Sequence, residues 1–286
     1  MSEILKSIIF GILEGICEWL PISSTGHIIL LGEIIFPNTA PELGEEFASA
    51  YRSMFDFVIQ MGAIMAVLLM FFPKLNIFSG KDRKDTALLY LKLLVGSVPA
   101  VLMLAVGNAL SEKLFGRDIE GVFYNSFTVG VMLVLYGVLF IAVERISRKG
   151  EEKSSAGREI GVKEAFFIGC FQGLSIIPGT SRSGATMLGA RMLGVDRERS
   201  AEFSFLLAIP AICGASLLGG MKFFGFVSEN RIEVPPLAYI SLVTAAVTAF
   251  AVSLLVIKML LSFVRKHTFV PFGVYRIILG AIVLVS

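Results

Sequence analysis

Residues 14–27 read E-G-I-C-E-W-L-P-I-S-S-T-G-H, two carboxylates, three hydroxyls and a histidine set between runs of Ile and Leu. A second polar knot, residues 172–186, reads Q-G-L-S-I-I-P-G-T-S-R-S-G-A-T. Ionisable groups inside apolar segments are costly and mark functional sites. In each knot a proline, Pro21 or Pro178, ends an apolar helix. An apolar limb follows, 28–36 in one case and 185–195 in the other. Both limbs are far shorter than the about 20 residues that a spanning helix needs. Helix, break and short limb together read as a re-entrant hairpin, present twice.

Around these hairpins the chain is apolar throughout. Of its 286 residues 55% are hydrophobic, 24 are Phe, and the mean hydropathy is +0.80. That composition excludes a soluble domain and predicts an all-α polytopic membrane protein. The net charge of +2 is too small to point to nucleic acid. Cys17, Cys170 and Cys213 lack metal-ligand spacing and read as small packing residues. Full-length spans are expected at 55–72, 87–109, 123–143, 201–224, 238–263 and 269–286, six in all. Gly96 and Pro99 are expected packing or kink positions.

The two halves resemble each other. Shifted by 158 positions, Gly11, Gly15, Ser23 and Gly26 fall on Gly169, Gly173, Ser181 and Gly184, and Glu14 falls on Gln172. The expected organisation is a single membrane domain of repeat 1 (1–145) and repeat 2 (160–286), joined by a basic loop (146–159). Basic residues gather in the loops at 73–85, 144–163 and 264–268, which places those loops in the cytoplasm. Loops at 37–53, 110–121 and 225–235 are acidic or balanced and belong outside. With the hairpins re-entrant, each half crosses three times, so the halves are inverted copies. Their irregular tips then enter from opposite faces and can meet near the midplane, buried in protein or lining a wet cavity.

Glu14 and Glu18, one helical turn apart, share a face and repel unless they share a divalent cation, share a proton, or face a cation. Ser23, Ser24, Thr25 and His27 place hydroxyls beside a base, the pairing that activates a serine. A hydrogen bond to Glu18 would orient His27. Capping of the following helix is the plainer role for those hydroxyls. Gly179, Thr180, Ser181, Arg182, Ser183 and Thr186 combine close backbone approach, hydroxyl donors and a guanidinium fork at a helix start, a phosphate-binding set. Together the knots describe phosphoryl transfer, a nucleophile on one tip and an oxyanion clamp on the other. Asp56 and Gln60 open the first full span; a place in the site and a helix cap are both open to Asp56. Trp19 contacts lipid, a prenyl chain or the protein core.

These residues resemble the undecaprenyl-diphosphate phosphatase family, also called the bacitracin-resistance protein family. The resemblance rests on Glu14-x-x-x-Glu18, on Pro21 to His27, and on Pro178-Gly179-Thr180-Ser181-Arg182-Ser183-x-x-Thr186, and it covers essentially the whole chain. It implies an enzyme of the bacterial cell membrane that hydrolyses undecaprenyl diphosphate to undecaprenyl phosphate and phosphate. That reaction recycles the lipid carrier for peptidoglycan and other envelope polymers and confers bacitracin resistance. The implied fold is six spans plus two re-entrant hairpins, and the implied cofactor is Mg²⁺ or Ca²⁺. Carried over to this sequence, Ser24 is the nucleophile or positions a water, and His27 is the general acid/base. Glu18 is its partner or a metal ligand, and Glu14 is the second ligand. Arg182 clamps the diphosphate with Ser23, Thr25, Gly179, Thr180, Ser181, Ser183 and Thr186 around it. The implied partners are the lipid substrate and the bilayer; a homodimer is left open, and the pocket is expected to face outward. The rival reading is a secondary transporter or lipid flippase that binds an anion at Arg182.

Overall fold

The computed structural model describes residues 2–37, 39–78, 83–151 and 158–285. Helices form all the regular structure among them: α1 (Glu3–Cys17), α2 (Ser24–Ile35), α3 (Gly44–Met70), α4 (Phe72–Leu75), α5 (Arg83–Phe115), α6 (Ile119–Phe123), α7 (Ser126–Glu151), α8 (Val162–Gly173), α9 (Arg182–Met192), α10 (Arg197–Glu229), α11 (Pro236–Lys266) and α12 (Val270–Val285). Five of them, α3, α5, α7, α10 and α11, are long and apolar enough to cross a membrane. The molecule is a multi-pass membrane protein. α12 is apolar but has 16 residues, shorter than the full span expected at its position.

Local signals set several boundaries. Ser2 accepts a hydrogen bond from the Leu5 amide and starts α1, and Asp196 does the same for α10 through the Arg199 amide. α1 ends at Cys17, and Pro21 lies in the break that follows. Both short limbs begin earlier than their apolar runs suggest. Ser24 is the first residue of α2 and Arg182 the first of α9, so the polar knots form opening turns of helices.

The loop expected at 37–53 is helical from Gly44 onward, where Phe47 and Tyr51 are buried. α5 and α10 likewise run into the segments read as loops, to Phe115 and Glu229. Hydropathy marks the apolar part of a helix, and these helices continue beyond it. The basic loop expected at 144–163 is shorter for the same reason, because α7 continues to Glu151. Within α7, Glu144 is buried and paired with Arg191 at 3.1 Å and Arg197 at 2.8 Å. Residues 152–157, including Lys153, and residues 79–82, including Lys81, lie outside the described residues.

Helix packing crosses the chain midpoint. α1 lies on α11, α8 on α5, α3 between α10 and α11, and α7 on α12. Small residues permit these approaches: a Cβ on Gly11 would stand 2.5 Å from the Ala245 carbonyl, and one on Gly169 would overlap the Gly96 carbonyl. A large core joins Trp19, Phe140, Phe205 and Phe269. A second core gathers Phe10, Phe47, Tyr51, Phe55 and Phe223. The outer surface carries Leu94, Val101, Leu217, Val243, Leu255 and Met259, an apolar coat suited to lipid.

Candidate active site

The breaks between α1 and α2 and between α8 and α9 meet. The Arg182 Nη2 donates to Glu18 Oε1 at 2.8 Å, joining residues from opposite halves of the chain. The Ser183 hydroxyl donates to the Leu20 carbonyl at 3.2 Å, a second bond across the same junction. Between the breaks is a cavity of about 300 Å³ lined by Glu18, Ser23, Ser24, Thr25, Gly179, Ser181, Arg182 and Ser183. Cys17, Gln60, Ser175, Pro178, Ala211, Ile212 and Ala215 complete its wall.

Ser23 and Ser181 immediately precede the two limbs and adopt nearly the same rare backbone, φ 71°, ψ 109° and φ 66°, ψ 119°. A left-handed φ on a residue with a side chain is strained, and such strain gathers at functional sites. Ser181 Oγ accepts from the Gly184 amide at 3.2 Å and lies 3.3 Å from Ser183 Oγ. Gly179, at φ +90°, passes so close to Val129 that a Cβ would stand 2.7 Å from its carbonyl. The Arg182 backbone is fixed in turn by Thr186, whose hydroxyl donates to its carbonyl and lies 2.6 Å from Ser204 Oγ.

Four of the expected residues lie off the cavity wall. Thr180 and Thr186 are fully buried behind it. Glu14 is buried one turn before Glu18, and its Oε1 finds no hydrogen-bond partner among the described residues. His27 engages the Ser23 carbonyl through Nδ1 at 2.8 Å and the Tyr275 hydroxyl through Nε2 at 2.6 Å. The expected Glu18–His27 bond is not formed; Glu18 is held by Arg182 instead. Trp19, for which three surroundings were open, is core: it is fully buried and meets Phe205 edge-on at 5.3 Å.

Hard oxygen donors suit Mg²⁺ or Ca²⁺, and Mg²⁺ in particular is commonly held by one or two carboxylates with phosphate oxygens completing the set. Glu14 and Glu18 fit that pattern, because the orphaned buried Glu14 oxygen needs a partner. Among the described residues, no cluster of three His, Cys, Asp or Glu is placed to hold an ion without help.

Ser175 and Arg276 are among the contributors that the sequence reading did not single out. Ser175 lies in the second knot but outside its recognised motif. Arg276 of α12 is fully buried and donates to carbonyls of both breaks. The signal for it was an arginine inside an apolar span, the same cost argument that singled out the knots.

The sequence profile of the family described as bacitracin resistance protein BacA matches residues 7–282. A protein of Acetivibrio thermocellus named undecaprenyl-diphosphatase is 46% identical, over 99% of this chain and 97% of its own. Proteins of the same name from Enterococcus faecalis and Streptococcus pyogenes serotype M1 are 43% and 42% identical, each over 99% of this chain and 97% and 96% of their own lengths.

Proposed function

The chain belongs to the bacitracin resistance protein family, and from that premise we propose that it hydrolyses undecaprenyl diphosphate to undecaprenyl phosphate and inorganic phosphate. The product is the carrier on which peptidoglycan and other envelope polymers are built, and its regeneration confers bacitracin resistance. The observation that carries the reading is the junction itself: a guanidinium, several hydroxyls and two helix N-termini surround one cavity. The positive ends of α2 and α9 and the fork of Arg182 are all suited to a diphosphate.

In this reading Arg182, Ser181, Ser183 and Thr25 hold the terminal phosphate. Ser24 Oγ attacks its phosphorus, or positions the water that does, and the anhydride P–O bond breaks toward the prenyl phosphate. The proton of the attacking oxygen passes to a phosphoryl oxygen, and on the Ser24 route water then cleaves the Ser24–phosphate bond. Water supplies the oxygen of the released phosphate. Donors fixed before the reaction stabilise the charge that develops on the phosphoryl oxygens. Glu14 and Glu18 would hold Mg²⁺ or Ca²⁺, which when bound adds countercharge to the diphosphate. His27 acts on Ser24 through the neighbouring Ser23; proton transfer by His27 would require one of its two hydrogen bonds to give way. Asp56 lies in the middle of α3 and not at a helix start, so the capping role open to it falls away.

The same reading takes the fold as an inverted duplication with α1–α2 and α8–α9 as re-entrant hairpins and α12 as the sixth crossing. Three features support it: the matched backbones of Ser23 and Ser181, 158 positions apart; glycines at the equivalent positions 11 and 169; and the reciprocal packing of α1 on α11 and α8 on α5. The same reading turns the cavity toward the outer side of the bacterial cell membrane.

The test is phosphate release from a long-chain prenyl diphosphate by purified protein in detergent with Mg²⁺ or Ca²⁺. Release above a heat-inactivated control, abolished by chelation and restored by the cation, is the expected result. A folded protein that binds the lipid and releases no phosphate would favour the transporter.

A further inference from the structure

We propose that Arg276 is a positioning residue that sets the separation of the two breaks, and through it the placement of Ser24 against Arg182. Arg276 belongs to α12, outside both hairpins, and is fully buried. Its Nη1 donates to the Pro21 carbonyl at 3.3 Å, and its Nη2 donates to the carbonyls of Gly179 at 2.7 Å and Thr180 at 3.0 Å. One planar group therefore spans both breaks. Pro21 lies three residues before Ser24, and Gly179 and Thr180 lie three and two before Arg182.

Irregular backbone at membrane depth must find hydrogen-bond partners within the protein. Arg276 supplies them to these three carbonyls together, from a helix packed on α7 and touching α2. Its guanidinium carbon lies 5.5 Å from the centre of the Tyr136 ring, and no ion pair to it is formed among the described residues. Its Nη1 and Nη2 are held by carbonyls while its Nε finds no partner among the described residues, so the group keeps its positive field beside a site for an anion. Lysine cannot replace it, because a single ammonium on a flexible stem lacks the rigid fork that spans the two tips. Arg276 is not part of the cavity wall, so its influence on turnover runs through the backbones it holds.

This inference rests on the assignment of Ser24 and Arg182 as the reacting pair, and the test separates the two. Arg182→Lys, Arg276→Lys, Arg276→Met and the double variant Arg182→Lys/Arg276→Lys are purified in detergent. Thermal midpoints and the kcat and KM for phosphate release are measured per folded protein. Misplacement by a fraction of an ångström falls on the transition state. Arg276→Lys should therefore lower kcat by about tenfold or more and change KM by less than about threefold. Arg276→Met should fall further, and Arg276→Lys alone carries the test if the Met variant does not fold. The double variant should be within about threefold of Arg182→Lys, because a clamp already blunted loses little by being moved. Wild-type kcat in Arg276→Lys, with Arg182→Lys impaired, overturns this inference and leaves the site assignment standing. Losses that multiply in the double variant overturn it as well, since an independent structural part behaves that way. Wild-type kcat in Arg182→Lys overturns the site assignment and this inference with it.

Discussion

Arg182 holds two partners at once, Glu18 at 2.8 Å and the Ser204 carbonyl at 3.4 Å, while its side chain borders the cavity. A diphosphate arriving there meets a fork whose orientation is already fixed. Arg182→Lys keeps the charge and loses the fork, so kcat should fall by about a hundredfold, in the range for removal of one oxyanion donor. The thermal midpoint should move by only a few degrees, and a matching collapse of the midpoint would return Arg182 to a structural role. His27 offers a sharper discrimination. Its Nδ1 bond to the Ser23 carbonyl braces a residue in a strained backbone. Asparagine can make that bond and cannot transfer a proton near neutral pH. His27→Asn should therefore retain turnover within about tenfold, while His27→Ala should lose about a hundredfold or more. Equal losses in the two variants would restore proton transfer to the imidazole.

Among the elements, the crossing of α8 and α5 is the most sensitive to volume. Gly169→Ala forces a methyl into the Gly96 backbone, where no flexible side chain can yield. The cost should be about 1–3 kcal/mol, read as a lowered unfolding midpoint, with kcat preserved in the protein that remains folded. The start of α8 carries a pH dependence. The Glu164 carboxyl is held below its usual range by its own backbone amide and that of Gly161, with Arg158 and Lys163 adding to the effect. A depressed carboxyl stabilises the fold above its unfolded pKa, about 4.3, and that contribution is lost as pH falls through the lower folded value. Glu164→Gln should flatten the fall of the unfolding midpoint below about pH 4.3; an unchanged slope would remove Glu164 from the account. The two breaks and the short helices that follow them were legible from Pro21, Pro178 and two apolar limbs too short to span. Only their exact starts were not, because α2 and α9 open on the polar residues Ser24 and Arg182, ahead of the apolar runs that marked the limbs.

For the whole molecule, the charge asymmetry of the loops makes a claim about sidedness. In a variant with the native cysteines replaced, a cysteine at Glu45 should react with an impermeant thiol reagent on intact cells, and one at Lys266 only after lysis. The reverse pattern would invert the proposed orientation. The sequence led us to expect the two knots to meet, and the Glu18–Arg182 bond joins them. Arg276 was not readable in the same way. Its partners are backbone carbonyls 97 and 255 positions away, and carbonyls leave no mark in residue identity. The same limit hid the partner of His27, since nothing in the first half of the chain announces Tyr275.

The reciprocal seating of α1 on α11 and of α8 on α5 has a bearing on how the chain can be divided. Each half packs several of its helices against helices of the other, which argues against either half folding alone. Severed between Glu151 and Arg158 and produced as two polypeptides, the halves should be degraded when made singly and should recover activity by complementation when made together.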